Sequence, residues 1–174
     1  MNNWDTYFHD ICDAVASKSP CLSRKIGAIL VKDKVVIATG YNGPARGIPH
    51  CGHDRYMADE TLAQIAYDSP RAINLIKFRT KCPRQVLGYK SSEGLHLCTA
   101  EHAERNCIAS AARLGVSTKH TRLYMNACLP CKNCITLLIN AGIREIIVDD
   151  NNYYDKYSKF IYDHCDIRLR PFEL

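Results

Sequence analysis

Two short runs place the strongest constraint on this chain: HAE, with His102 and Glu104, and PCKNC, with Cys131 and Cys134. A histidine and a glutamate two apart are a weak signal alone, and fit a capped helix start with one buried histidine. The cysteine pair says more. Residues three apart on a helix share a face, so both sulfurs can bind one metal. Pro130 suits the first helical position, where unpaired backbone N–H groups favour a thiolate. Two sulfurs leave two tetrahedral positions; a structural zinc fills both with protein, whereas a catalytic zinc keeps one for water. With His102 as third ligand, the fold must bring both runs to one point.

The elements around them alternate. Trp4, Phe8, Ile11, Cys12 and Val15 recur at helical spacing and predict an amphipathic helix over residues 3–17, ended by Ser19-Pro20. IGAILV and VVIATG, joined by KDK, predict an antiparallel hairpin. The loop GYNGPARGIPHCGH collects Asn, Arg, His and Cys side chains at the end of a sheet, where binding residues gather. Residues 54–98 are less regular, with helix over 58–67, a break at Ser69-Pro70 and more helix to Phe78, and read as an insertion within a single domain of residues 1–174. A helix over 101–114, the strand RLYMNA, a helix over 131–141, the strand EIIVDD, a helix near 154–164 and the short strand IRLR follow. That order predicts an α/β three-layer α/β/α sandwich with a mixed central sheet.

Composition narrows the class. The 174 residues suit one domain, and 47% hydrophobic with 24% charged residues is ordinary for a soluble protein. No apolar run reaches the roughly 18 residues that span a bilayer, and MNNWDTYFHD lacks the pattern of a secretion signal, so a cytoplasmic, membrane-free protein is expected. Ten cysteines in a reducing compartment point to zinc or buried thiols rather than disulfides. The net charge of +5 is dispersed, without the basic block of a nucleic-acid tail; a small anionic substrate fits as well.

HxE followed by PCxxC is the signature of zinc-dependent nucleobase deaminases, and on these residues the chain resembles the cytidine and deoxycytidylate deaminase superfamily. The run CLSRKIGAILVKDKVVIATGYNGPARGIPHC, residues 21–51, looks like the start of the deoxycytidylate (dCMP) deaminases, and LYMNACLPCKNC and INAGIREIIV continue the likeness. The resemblance implies a cytidine-deaminase-type sandwich with zinc on His102, Cys131 and Cys134. Zinc then lowers the pKa of its water from 15.7 toward neutrality, hydroxide attacks C4 of dCMP, and Glu104 passes the proton to N3 and to departing ammonia. Positions two apart on a helix point apart, so the resemblance also places His102 and Glu104 in a first turn after an N-cap at Thr99. Asn42 would bond the deoxyribose 3′-hydroxyl, Arg24 or Lys25 would sit near the phosphate, Ala103 would line the substrate, and Tyr153 or Tyr154 would wall the pyrimidine. GYNG also reads as a plain turn, the basic pair as solvated residues, and the tyrosines as packing.

The sequence departs from its relatives before PCxxC, where Asn126, Ala127, Cys128 and Leu129 replace a run like YVTxSP, so a phosphate contact there must come from elsewhere. Cys21, Cys51, Cys82 and Cys98 lie in or beside loops near His50, His53 and His96, and four such cysteines make a closed structural zinc site; some relatives carry a second zinc near the positions of Cys21 and Cys51. Ordinary buried or free thiols are the alternative. Kinship also implies a homo-oligomer, often a hexamer, activated by dCTP with Mg2+ and inhibited by dTTP, with Arg113 a candidate effector or interface residue. Rival readings are a zinc deaminase of cytidine, cytosine, a riboflavin precursor or tRNA adenosine, and a zinc-binding module without catalysis.

Overall fold

The computed structural model describes residues 3–69, 75–90 and 92–174, in two compact units. One unit comprises residues 1–19, 26–42 and 102–174, the other residues 20–25 and 43–101. The first holds α1 (Trp4–Ala16), β1 (Gly27–Lys32) and β2 (Val35–Tyr41). The second holds β3 (Gly43–Pro44), α2 (His53–Ala58), α3 (Glu60–Asp68), α4 (Leu75–Phe78), α5 (Pro83–Val86) and β4 (Ala100–Glu101). The chain then completes the first with α6 (Ala103–Arg113), β5 (Arg122–Cys128), α7 (Lys132–Asn140), β6 (Glu145–Asp150), α8 (Lys156–Tyr162) and β7 (Arg168–Pro171). The stretch 54–98 expected as an insertion falls within the second unit; Pro70, in the expected helix break, lies outside the described residues.

The first unit is built on a mixed sheet of order β2-β1-β5-β6-β7, with β1 antiparallel to β2 and β5, and with β5, β6 and β7 parallel. KDK closes the hairpin through Asp33 and Lys34, both left-handed at φ 50° and 67°, the geometry of the two-residue turn that matches strand twist. Alternation along the strands sorts the core into two faces. Ala28, Leu30, Leu123, Met125, Ile146 and Val148 point to one face, packed with Cys107 and Ala111 of α6, Ile135 and Leu138 of α7 and Tyr162 of α8. Ile29, Val31, Tyr124 and Ile147 point to the other, against Phe8 and Cys12 of α1. Each fully buried Leu or Ile here contributes on the order of 2 kcal/mol over its exposed state, so the three layers follow from the period-two pattern.

Two glycines let the helices approach this sheet. A Cβ on Gly27 would lie 2.1 Å from the Cys12 carbonyl oxygen of α1, and one on Gly40 would lie 2.3 Å from the Cys107 nitrogen of α6. Glycine in a strand marks such close backbone approach.

In the second unit, Leu62, Ala66 and Phe78 pack with Tyr56, Val86 and Leu87. Arg55 is buried there, its guanidinium donating to the Leu97 carbonyl at 2.7 Å and to Asp59 at 3.1 Å. Among the described residues no helix is long and apolar enough to cross a membrane.

A charge network ties α1 to the far edge of the sheet. Arg170 on β7 donates to both carboxylate oxygens of Asp5 and to Glu145 at 3.1 Å; Glu145 on β6 also lies 2.8 Å from Arg122 on β5. Burial alone would raise the Asp5 carboxyl, but Arg170, the Glu173 N–H at 3.0 Å and the charge of Arg122 together outweigh it and hold the group below the ordinary carboxylate range. Stability from such a group is present above its unfolded value and lost as pH falls through the lower folded value. Arg170→Met should therefore cost about 3 kcal/mol near neutral pH. The deficit should narrow below about pH 4, where protonation of Asp5 weakens the same contact in the wild type. Urea unfolding at both pH values checks this, and a deficit unchanged with pH would contradict it.

Candidate metal centre

Helices α6 and α7 begin at the same place. His102 is the N-cap of α6, in extended conformation at φ −75°, ψ 150°, and Glu104 is the second residue of that helix. Cys131 is the N-cap of α7, at φ −67°, ψ 169°, and Cys134 lies in its first turn. Both placements correct the sequence reading. The N-cap of α6 is His102 rather than Thr99, and Pro130 precedes the N-cap of α7 instead of opening the helix. A residue at an N-cap is not bound by helical side-chain directions, which answers the objection to His102 and Glu104 sharing a site two positions apart.

His102 Nδ1 lies 3.7 Å from the Cys131 sulfur and 3.4 Å from the Cys134 sulfur, and the three ligand atoms lie within 4.8 Å of one another. Zinc bonds of the usual lengths at tetrahedral angles separate a nitrogen from a sulfur by roughly 3.6 Å. The trio therefore has the size and donor set of a zinc site with one position left open. Among the described residues this is the one group of three or more potential ligands so drawn together. Glu104 Oε1 stands 3.8 Å from His102 Nδ1, and its side chain is 5% exposed.

The charges fit a dication. The hydrogen bond shared with Cys134 and the His102 ring hold the Cys131 thiol down to about 4, against burial. Cys134 is pushed up by the same shared hydrogen bond and by burial, so the pair divides one proton. Burial opposes ionisation of Glu104, yet His102 outweighs it and keeps the carboxyl below its usual range. Cys131 and Glu104 push the His102 ring up to about 11. A thiolate and a carboxylate at two helix N-termini, beside one imidazole, make a pocket of negative charge that a metal ion neutralises.

The other expected residues are placed as follows. Ala103 is buried between His102 and Glu104. The Asn42 side-chain oxygen accepts from the Ile26 N–H and the Ser19 hydroxyl, each at 2.8 Å, fixing its carboxamide to its own unit. Arg24 and Lys25 are exposed in the second unit, and Arg113 is exposed in the last turn of α6. Tyr153 is exposed with its ring 5.8 Å from that of Tyr162, and Tyr154 is half-buried. Asn126 accepts from the Gly27 N–H and donates to Asp13, both at 2.7 Å, and Leu129 is buried in the core.

Cys21, Cys51, Cys82 and Cys98 all belong to the second unit, but the structure does not gather them into a ligand group. The buried Arg55 guanidinium lies 3.6 Å from the Cys51 sulfur, and Cys82 and Cys98 are near enough to bear on the same thiol. Sequence reasoning passed over Asp155 and Tyr162. The Asp155 carboxylate accepts from the Lys132 N–H, and the Tyr162 hydroxyl donates to the Pro130 carbonyl, each at 3.3 Å. The only signal for Asp155 was its place as a helix N-cap.

A family model described as the cytidine and deoxycytidylate deaminase zinc-binding region matches residues 2–149. The chain is 31% identical over 170 residues to the deoxycytidylate deaminase of Saccharomyces cerevisiae, covering 98% of this chain and 45% of that protein. It thus spans less than half the length of that relative. It is 30% identical over 151 residues to the deoxycytidylate deaminase of Enterobacteria phage T2, covering 82% and 76% of the two chains. The crystal structure of dCMP deaminase from the cyanophage S-TIM5 in complex with dCMP and dUMP superposes with a TM-score of 0.65 at 16% identity, covering 98% of each chain, and shares the fold.

Metal analysis of purified protein should give one zinc per chain, and chelation should lower the unfolding temperature by roughly 5–10 °C. Two zinc ions per chain would instead show that the loop cysteines hold a second.

Proposed function

The chain belongs to the family of the cytidine and deoxycytidylate deaminase zinc-binding region, and from that premise we propose that it hydrolyses dCMP to dUMP and ammonia. Glu104 carries this reading: a buried carboxylate stands 3.8 Å from the ligating nitrogen of a His-Cys-Cys site, where a purely structural zinc would have no use for it. His102, Cys131 and Cys134 would hold the zinc, which when bound would supply the Lewis acidity that brings the pKa of water to near neutrality. Glu104 takes the proton of the attacking water and delivers it to N3 of the pyrimidine. With the C4–O bond formed, it takes the second proton from the hydroxyl now on C4 and passes it to the leaving nitrogen, so that C4–N breaks, C4 becomes a carbonyl and ammonia departs.

Ala103, held buried between His102 and Glu104, lines the substrate. Asn42 bonds the sugar, Arg24 or Lys25 neutralises the phosphate, and Tyr153 or Tyr154 walls the base. The deoxycytidylate deaminases among its relatives support dCMP as substrate. The same kinship supports a cytoplasmic homo-oligomer that supplies dUMP for thymidylate synthesis, activated by dCTP with Mg2+, inhibited by dTTP, with Arg113 at an effector or subunit contact. The run Asn126 to Leu129 favours a second reading, a nucleoside substrate, because it carries no hydroxyl for a phosphate and its one amide side chain is already engaged by Gly27 and Asp13.

Ammonia release from dCMP, CMP, deoxycytidine, cytidine and cytosine, with and without dCTP and Mg2+, separates the two. Turnover of dCMP far above the rest supports the first reading, and turnover of the nucleosides selects the second. Glu104→Gln should keep its zinc and lose roughly 10²–10⁴-fold or more in kcat; zinc-replete wild type without turnover on any of the five would overturn both.

A further inference from the structure

Helix α8 begins and ends on the corner that carries Cys131. At its start the Asp155 carboxylate divides its oxygens. One accepts from the Ser158 N–H at 2.7 Å and caps its own helix, and the other accepts from the Lys132 N–H at 3.3 Å, the first amide of α7. At its end the buried Tyr162 hydroxyl donates to the carbonyl of buried Pro130 at 3.3 Å. Pro130 and Lys132 flank Cys131, whose own carbonyl accepts from the Ile135 N–H at 2.9 Å within α7. The backbone is thus held at three successive residues around one sulfur, at two of them by α8. Both contacts come from residues beyond 149, where the match to the family model ends.

We infer that Asp155 and Tyr162 are positioning residues that aim the Cys131 sulfur at the metal; the inference rests on reading His102, Cys131 and Cys134 as the zinc site. An N-cap lies outside the helical ladder, so the peptide planes on either side of it set the direction of its side chain. Asp155 fixes the plane after Cys131 by its N–H, and Tyr162 fixes the orientation of Pro130 by its carbonyl. Pro130 has no N–H of its own, so its carbonyl is the polar group through which a neighbour can steer it. Metal–ligand distances tolerate errors of only about 0.2 Å, so a swing of this corner reaches the metal directly.

The two contacts can be removed without dismantling the helix. Tyr162→Phe deletes only the hydroxyl and leaves the ring in the core. Asp155→Asn keeps an oxygen for the Ser158 cap, since Asn caps as well as Asp, and turns an amide nitrogen toward Lys132.

The test loads wild type, the two single variants and the double variant with zinc and follows transfer of the metal to a chromogenic chelator, alongside thermal unfolding. Each single variant should release zinc about ten-fold faster or more, the size typical for residues that support metal ligands. The double variant should release it more slowly than the product of the two effects requires, because both act on one corner. Cobalt-substituted variants should show a displaced thiolate-to-metal absorption band. Phe160→Ala, on the exposed side of the same helix, should match wild type. Wild-type release rates and cobalt spectra in all three variants would overturn the inference, even with a lowered unfolding temperature, and leave the zinc reading intact. Wild type that takes up no zinc would overturn both together.

Discussion

Buried negative charge has to be answered by positive potential, and in this protein the answer comes from where two helices start. Glu104 is 4% exposed, and Cys131 beside it is held as a thiolate. Either group alone would take up a proton on leaving water. In the first turns of α6 and α7 the Glu104 N–H serves its own carboxylate and the Cys134 N–H serves the Cys131 sulfur, and His102 adds an imidazole close to both anions. A third helix, α8, contributes hydrogen bonds to the backbone around Cys131.

The sheet brings those helix starts together. The crossover from β5 through α7 to the parallel strand β6 returns α7 across one face, and α6 packs on that face beside it. Gly40 lets the α6 backbone come within van der Waals range of β2 with no side chain between. The depth of α6 is therefore fixed by two backbones, which deform less than a layer of rotamers would. On the opposite face α1 reaches the same sheet through Gly27, and Arg170 joins its Asp5 to Glu145. The metal corner thus hangs from a frame braced on both sides.

Most of this frame was legible from local pattern. The continuous apolar runs Ala28 to Val31 and Ile146 to Val148 predict strands, and helical spacing from Trp4 to Val15 predicts α1. The four residues of HxE and PCxxC were legible because metal chemistry fixes their identity and order. Their exact seats were not. Thr99 looks like an N-cap because hydroxyls usually are, whereas His102 takes the seat with no side-chain cap bond. Asp155 and Tyr162 escaped because each bonds a backbone group more than twenty residues away, which leaves no periodic trace. The four loop cysteines show the opposite limit: residue type invites a metal, but only the course of the chain brings Arg55 against Cys51 and sets Cys82 and Cys98 near it.

The placement of the ligands at helix N-caps separates two roles that a helix usually combines. His102, Glu104, Cys131 and Cys134 all lie within the N-cap and first turn of their helices. The remaining turns anchor those starts to the sheet and carry no ligand. Their solvent faces are therefore open to sequence drift, and their C-terminal ends to lengthening or shortening by a turn, at little cost to the metal geometry. A single residue inserted between β5 and Cys131 would disturb it at once. Variation across such a fold should accordingly concentrate at helix ends and fade toward helix beginnings, a polarity set by where the chain first turns rather than by which residues are buried.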